Sequence, residues 1–216
     1  MIRIALASLA LLLPAAAAPR VLILGDSVYR QPQTIIAKEL AGQIKLTRSE
    51  IKTDNIHSSS SLLAQLDELL GEGKWDLVIF NTGIGDLIHR APDMESFRTM
   101  PVAQGGVRNT SAKDYEANLN QLAERLKATG AKLVWASTTP IKDELVFVPN
   151  SEIQFNTIAA KVMATHDIPI LDMHGHITRL TADTPSRAPQ WETFGSNKFM
   201  VHEPIVDLIK SQLSLR

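Results

Sequence analysis

The amino-acid sequence predicts an α/β protein with three layers, in which helices cover both faces of a five-stranded parallel sheet. Short runs of continuous aliphatic residues recur along the chain, and such runs are typical of strands that are buried on both faces. Segments with apolar residues at every third or fourth position separate these runs, as expected for crossover helices. Ligands of a sheet built in this way bind at the carboxyl ends of its strands.

The predicted strands are short apolar segments that end at turn residues, and they cover 21–24, 44–47, 77–80, 132–137 and 168–172. The second strand alternates apolar with polar residues, and Pro169 interrupts the fifth, so we expect both strands near the edges of the sheet. The predicted helices cover 33–40, 61–70, 111–129, a segment from 150 or 151 onwards, and 203–213. In the fourth of these helices, Ile153, Phe155, Ile158, Ala159 and Val162 are expected to face inward. Residues 88–110 show no periodicity and predict a long loop.

The composition favours a single globular domain and excludes several classes of partner. The chain has 216 residues, 44% of them hydrophobic, and a formal net charge of −1. A charge this close to zero indicates neither a nucleic-acid footprint nor an anionic membrane surface. The chain contains no cysteine, so we expect no disulfide framework.

The first eighteen residues have the pattern of a signal peptide. Arg3 precedes an apolar run from 4 to 13, which is too short to span a bilayer, and a block of alanines follows Pro14. We therefore expect residues 1–18 to be removed and a single domain, residues 19–216, to be exported to the periplasm or secreted.

The turn Gly25-Asp26-Ser27 directly follows the first predicted strand and brings a hydroxyl to the edge of the sheet. A serine becomes a good nucleophile only when a base takes its proton, and histidine has a suitable pKa for that task. The alternative is that Asp26 and Ser27 only cap the next helix. For Asp26, Asp86 and Asp172, which follow strands, we expect bracing of the turns rather than acid or base catalysis.

Four features in order resemble the SGNH hydrolases, also called GDSL-type esterases and lipases. They are Leu24-Gly25-Asp26-Ser27 after the first strand, Gly83-Ile84-Gly85-Asp86 after the third, the tract 129–140 around the fourth, and His202 before the last helix. The resemblance extends from Val21 to the C-terminus and implies the flavodoxin-like, SGNH-type α/β/α sandwich.

The resemblance implies hydrolysis of carboxylic esters, with small acyl or O-acetyl esters, including those on carbohydrates, as the substrates. Ser27 would be the nucleophile and form an acyl-enzyme, and His202 would be the general base. Backbone N–H groups of Ser27 and Ser58, with the turn at Gly85 and Asp86, would bind the oxyanion and the substrate. The chemistry requires neither a metal nor an organic cofactor.

Three positions depart from the family pattern. Phe199 stands where the family has an acid, Gly85 stands where it has an asparagine, and the loop 54–61 has no glycine. Glu203 and Asp183 are the nearest candidates for a replacement carboxylate. These departures favour an alternative function, in which a catalytically impaired protein binds a glycan or a peptide in the same cleft.

The remaining candidates concern ligand binding. His57 and His89 lie in predicted loops near strand ends and could line the pocket, and Trp191 could stack on a sugar. His174 and His176 are two residues apart, but no further ligands cluster with them, so we predict no metal site. A cofactor or phosphate binder of the same architecture is disfavoured because the first turn lacks a glycine-rich loop. The sequence does not predict an oligomeric state.

Overall fold

The computed structural model describes residues 17–30, 32–48, 51, 56–94, 97–141, 145–180 and 202–215, and the side chains of Ser27, Arg30 and Arg48 lie outside this description. The predicted signal peptide lies outside the described residues up to position 16. Seven strands occur along the described chain, and in chain order they are β1 (Arg20–Leu24), β2 (Lys45–Arg48), β3 (Leu77–Phe80), β4 (His89–Arg90), β5 (Val107–Arg108), β6 (Lys132–Ala136) and β7 (Ile170–Leu171).

Five of these strands form the predicted parallel sheet, in the order β2-β1-β3-β6-β7. Each neighbouring pair is parallel. The second and fifth strands of the prediction form the two edges of this sheet, as expected from the alternating pattern and from Pro169. Pro169 lies just before the two-residue β7, and its carbonyl accepts a hydrogen bond from the Trp135 N–H.

The helices follow the strands as crossovers. Those within the described residues are α1 (Ser27–Arg30), α2 (Gln33–Glu39), α3 (Ser59–Leu70), α4 (Ile84–Leu87), α5 (Ala112–Lys127), α6 (Ser151–Thr165), α7 (Met173–Leu180) and α8 (His202–Leu213). Ser111 caps α5 as predicted, because its side chain accepts a hydrogen bond from the Asp114 N–H. None of these helices is long and apolar enough to cross a membrane.

Alternate residues of the central strands supply two separate cores. Leu22 and Leu24 of β1 belong to a cluster under α3, α5 and α6, whereas Val21 and Ile23 face a cluster under α1, α2, α7 and α8. This division follows from the two-residue period of a strand. All four of these β1 side chains are at most 1% exposed. The predicted three-layer architecture is therefore confirmed.

Two local predictions need correction. The region 88–110 is not a featureless loop, because β4 and β5 pair in antiparallel fashion and residues 102–104 form a short 3-10 helix. Ile153 does not face inward and is 53% exposed, whereas its neighbour Glu152 is 1% exposed. Glu152 takes the inward place because its carboxylate lies 3.3 Å from the His174 ring, an interaction that hydrophobic periodicity does not reveal.

Candidate functional site

The turns that follow β1 and β3 lie side by side at the carboxyl edge of the sheet. The Asn81 N–H, just past β3, donates to the Leu24 carbonyl at the end of β1. Two residues separate the end of β1 from Ser27, which is the first residue of α1. Asp26 is 4% exposed and accepts a hydrogen bond of 2.9 Å from the Val28 N–H. This contact agrees with the bracing role expected for Asp26.

Tyr29 attaches α1 to the neighbouring part of the sheet edge. Its hydroxyl donates to the Ser137 carbonyl, just after β6, at 2.5 Å. Complete burial raises the pKa of Tyr29 well above its usual value, so the hydroxyl keeps the proton that it donates. Gly25 packs against Tyr29, where a β-carbon would collide with the tyrosine side chain. These contacts fix the backbone that carries Ser27.

Asp86 connects the turn after β3 to the start of α3. Its carboxylate accepts the Ser59 N–H at 2.9 and 3.0 Å and the Ser59 hydroxyl at 2.6 Å. Burial raises the pKa of Asp86 to about 6, although hydrogen bonds from Ser59 and Thr110 act in the opposite direction. These contacts match the bracing role expected for Asp86. They leave its carboxylate engaged with the protein rather than with a substrate.

Gly85 occupies a position where no side chain fits. A β-carbon built on it would collide with the backbone carbonyl oxygen of His57. The Asn109 side chain also donates to the Gly85 carbonyl at 2.9 Å. The backbone of the loop before α3 therefore fills the space that an asparagine side chain would need.

Replacing Gly85 by alanine is expected to lower the free energy of unfolding by about 1–3 kcal/mol, the usual cost of overpacking a tight site. The added methyl group meets backbone atoms, which cannot move aside as a flexible side chain could. Urea denaturation measures the change. Ala64→Ser, at an exposed position of α3, serves as the control, with a change of no more than about 0.5 kcal/mol expected from helix propensity. An unchanged midpoint for Gly85→Ala would contradict the close approach of His57.

The backbone N–H of Ser58, expected to face the oxyanion, makes contacts within its own loop. It donates to the Ser61 hydroxyl at 2.9 Å and lies 2.8 Å from the Ile56 carbonyl. The Ser58 hydroxyl accepts in return from the Ser61 N–H, so the two serines form a capping box at the start of α3. The capping box accounts for the N–H of Ser58 without a ligand.

The two histidines expected to line the pocket both contact backbone carbonyls. His57 Nε2 lies 2.8 Å from the Asn81 carbonyl, and His89 Nδ1 lies 3.2 Å from the Val146 carbonyl. His89 is 8% exposed. The first contact fastens the segment before α3 to the end of β3, and the second joins β4 to the segment around Val146.

His202 is the first residue of α8 and has a carboxylate partner. Its Nε2 lies 3.2 Å from Glu39 Oε1, and the His202 side chain is 13% exposed. Glu39 is the last residue of α2, and no local pattern in the sequence joins these two distant segments. Glu203 is described at the start of α8, whereas Asp183, Trp191 and Phe199 lie outside the described residues.

A second histidine, His174 in α7, also has a carboxylate partner, which is Glu152 in α6. His174 Nε2 lies 3.3 Å from Glu152 Oε1, and the His174 N–H donates to the Ser137 hydroxyl at 2.9 Å. Nearby, Asp172 accepts a hydrogen bond from the Gly175 N–H at 2.8 Å, in agreement with the bracing role expected for it. The described part of the chain holds no group of three or more potential metal ligands.

Solved structures similar to this chain over most of its length include lipases and esterases. Three of them are an acetyl xylan esterase named AlAXEase, a lipase/acylhydrolase from Enterococcus faecalis and a putative GDSL-like lipase from Parabacteroides merdae. Their TM-scores are 0.67, 0.63 and 0.63, and their sequence identities are 15%, 16% and 13%. The matches cover 89%, 90% and 92% of this chain and 98%, 96% and 96% of the respective structures.

No protein-family model and no curated protein sequence matches the chain. The similarity therefore rests on the path of the backbone, since the sequence identities are low. The five-stranded order and the crossover helices extend over nearly the whole length of the matched structures. The chain thus has the α/β/α fold of the GDSL-type (SGNH) hydrolases, and the resemblance read from its sequence is confirmed at the level of the fold.

Proposed function

We propose that the protein is a serine esterase that hydrolyses small acyl esters, including O-acetyl esters of carbohydrates. The observation that carries the proposal is the position of Ser27, at the start of α1 and directly beyond the carboxyl end of β1. In a doubly wound sheet this edge is where ligands bind. Structures with the same fold include acetyl xylan esterases and lipases, which supports ester hydrolysis as the reaction class.

In the proposed reaction His202 takes the proton of the Ser27 hydroxyl as its oxygen attacks the ester carbonyl. The tetrahedral intermediate collapses when the C–O bond to the alcohol breaks, and His202 gives its proton to the departing alkoxide. Water then attacks the acyl-enzyme, with His202 again as the base, and releases the carboxylic acid and free Ser27. No cofactor takes part in these steps.

Two parts of the proposal draw on the observed contacts. Glu39 is the carboxylate that would orient the His202 ring and stabilise its protonated form. The oxyanion would be held by the backbone N–H groups of Ser27 and Gly85, because the N–H of Ser58 already serves the capping box. We further propose that the signal peptide directs the mature domain to the periplasm or the exterior.

The proposal is tested by assaying the mature protein with short-chain aryl esters beside the Ser27→Ala variant. We expect hydrolysis by the wild type and only background hydrolysis by the variant. Ser211→Ala, at an exposed position of α8, is the matched control and should keep full activity. Circular dichroism verifies that each variant is folded. Equal background from wild type and Ser27→Ala would refute the esterase proposal.

Replacing Glu39 by glutamine is expected to lower kcat/KM about tenfold and to leave Ser27 reactive. The effect is smaller than in a buried triad because the Glu39 side chain is 43% exposed and water screens its charge. Steady-state kinetics as a function of pH measure the change. Glu203→Gln, with an exposed carboxylate in the first turn of α8, is the control.

A second function is favoured by the contacts of Gly85 and Ser58. The space for a side-chain donor at Gly85 is filled by the His57 backbone, and the Ser58 N–H is engaged, so stabilisation of an oxyanion depends on fewer donors. Loss of one such donor costs on the order of 3 kcal/mol in other serine hydrolases. A protein with this handicap could bind a glycan or peptide without cleaving it. Background-level hydrolysis together with measurable binding of an acetylated oligosaccharide would support this second function.

A further inference from the structure

A small cavity lies beside the turn after β3, at the start of α3. Its volume is about 280 Å³, and we call it the serine pocket because three serines contribute to its wall. The described residues that line it are Ile56, Ser58, Ser60, Ser61, Ala64, Phe97 and Asn109.

One wall of the serine pocket is a cluster of hydroxyl groups. Ser58 Oγ lies 3.0 Å from Ser60 Oγ and 3.1 Å from Ser61 Oγ. Ser58 and Ser61 use most of their hydrogen-bonding positions in the capping box and on the Ile56 carbonyl, so the exposed Ser60 hydroxyl is the one in the cluster with positions open to a ligand. Asn109 adds an amide, of which one N–H is used by the Gly85 carbonyl. This wall suits a ligand with several hydroxyl groups.

The rest of the lining is apolar, with Ile56, Ala64 and the aromatic ring of Phe97. None of the described lining residues carries a charge, so the pocket offers no partner for an ionic ligand, whose desolvation would be costly. A sugar ring has hydroxyl groups around its edge and C–H groups on its faces. The hydroxyl wall matches the edge of such a ring, and the apolar wall matches its faces.

Position and size connect the pocket to the proposed reaction. Asn109 lines the pocket and also holds the Gly85 carbonyl, so the pocket adjoins the turn that we propose as part of the oxyanion site. Ligand pockets usually measure about 300–1,000 Å³, so this cavity has room for one ring rather than a polymer segment. We propose that the serine pocket binds the single neutral sugar ring that carries the ester. The orientation of that ester rests on the proposed function, whereas binding of the ring does not require hydrolysis.

The test is an NMR titration of the mature Ser27→Ala protein with methyl β-D-xylopyranoside, a neutral ring with three hydroxyl groups. We expect saturable shifts of the backbone amides of Ser60, Ser61 and Asn109. Tetrahydropyran, the same ring without hydroxyl groups, should cause none, because a site built to bind hydroxyl groups rejects an analogue that lacks them. Shifts elsewhere but not in the pocket, or equal shifts with tetrahydropyran, would overturn the inference.

Two variants sharpen the titration. Ser60→Ala should weaken binding about threefold to tenfold, the effect of one hydrogen bond. Ala64→Leu should weaken it at least about tenfold, since the larger side chain fills a cavity of this size while leucine remains a good helix former. Ser211→Ala, on α8, should leave affinity unchanged. Binding that tolerates Ala64→Leu would place the ligand elsewhere and overturn the inference.

The titration tests the pocket assignment and the assay tests the esterase proposal, and either proposal can fail without the other. If the pocket amides shift with the sugar but wild type and Ser27→Ala show equal background hydrolysis, the esterase proposal fails and the pocket assignment stands. If the wild type hydrolyses esters and the sugar leaves the pocket amides unshifted, the pocket assignment fails and the esterase proposal stands.

Discussion

Replacing His202 by glutamine is expected to lower kcat/KM for an aryl ester about a thousandfold. Without a base, the Ser27 hydroxyl must lose its proton to water during attack, and general acid–base catalysis contributes about 10²- to 10⁴-fold. Nucleophile and base act as a unit, so the loss should approach that of Ser27→Ala, and the double variant should be no worse than either single variant. Steady-state kinetics of the three proteins measure this relation.

His166→Gln is the matched control for His202→Gln. His166 is a partly buried histidine at the end of α6, where its ring lies 2.9 Å from the Asn120 side chain. It has no role in the proposed reaction, and this variant should retain wild-type activity. Full activity of His202→Gln, together with loss of activity in Ser27→Ala, would show that another group is the base. His174, with its partner Glu152, would then be the next candidate.

Asp86 is expected to make the protein less stable as the pH rises from 4 to 7. Its pKa is raised to about 6 in the folded protein, from 3.8, so the folded state binds the proton more tightly than the unfolded state does. The contribution of Asp86 to the free energy of unfolding is therefore greatest below pH 3.8, and it is lost as the pH rises through 6. A shift of this size corresponds to about 3 kcal/mol over the full range, of which about 2 kcal/mol lies between pH 4 and pH 7.

Comparison with Asp86→Asn isolates this contribution. The free energy of unfolding of the wild type minus that of the variant, from urea denaturation at pH 4, 5, 6 and 7, should fall by about 2 kcal/mol over the series. Asp207→Asn, at an exposed position of α8, is the matched control and is measured over the same pH series. A difference for Asp86→Asn that rises with pH would contradict the raised pKa of the buried Asp86 carboxyl.

The fold could be predicted because its signals are local. The apolar run of β3 ends at Phe80 in both sequence and structure, since all four of its residues are buried between helices. Prediction from the sequence failed for a helix of a single turn and for a side chain whose position depends on a distant partner. The four residues of α1 are too few to show a helical period, and the inward place of Glu152 depends on His174.

The candidate site was predictable as an edge of the sheet and less so as a set of contacts. Ser27 and Asp86 lie in the short segments that follow β1 and β3, so their place follows from the order of the elements. The engagement of the Ser58 N–H was hard to predict, because Ser61 stands at the position where the usual capping-box signature has Glu or Gln. The pairing of His202 with Glu39 was not readable, because nothing local connects α8 with α2.

The last helix has a consequence for the order in which the chain folds. Ile205, Val206 and Ile209 of α8 complete the core on one face of the sheet, and β1 pairs with a β3 strand that is more than fifty residues later in the chain. A polypeptide that is still being synthesised therefore leaves this face incompletely covered until α8 emerges. Such non-local topologies fold slowly and pass through aggregation-prone intermediates. Removal of α8 should accordingly abolish native folding of the whole domain and not merely disorder the segment beside it.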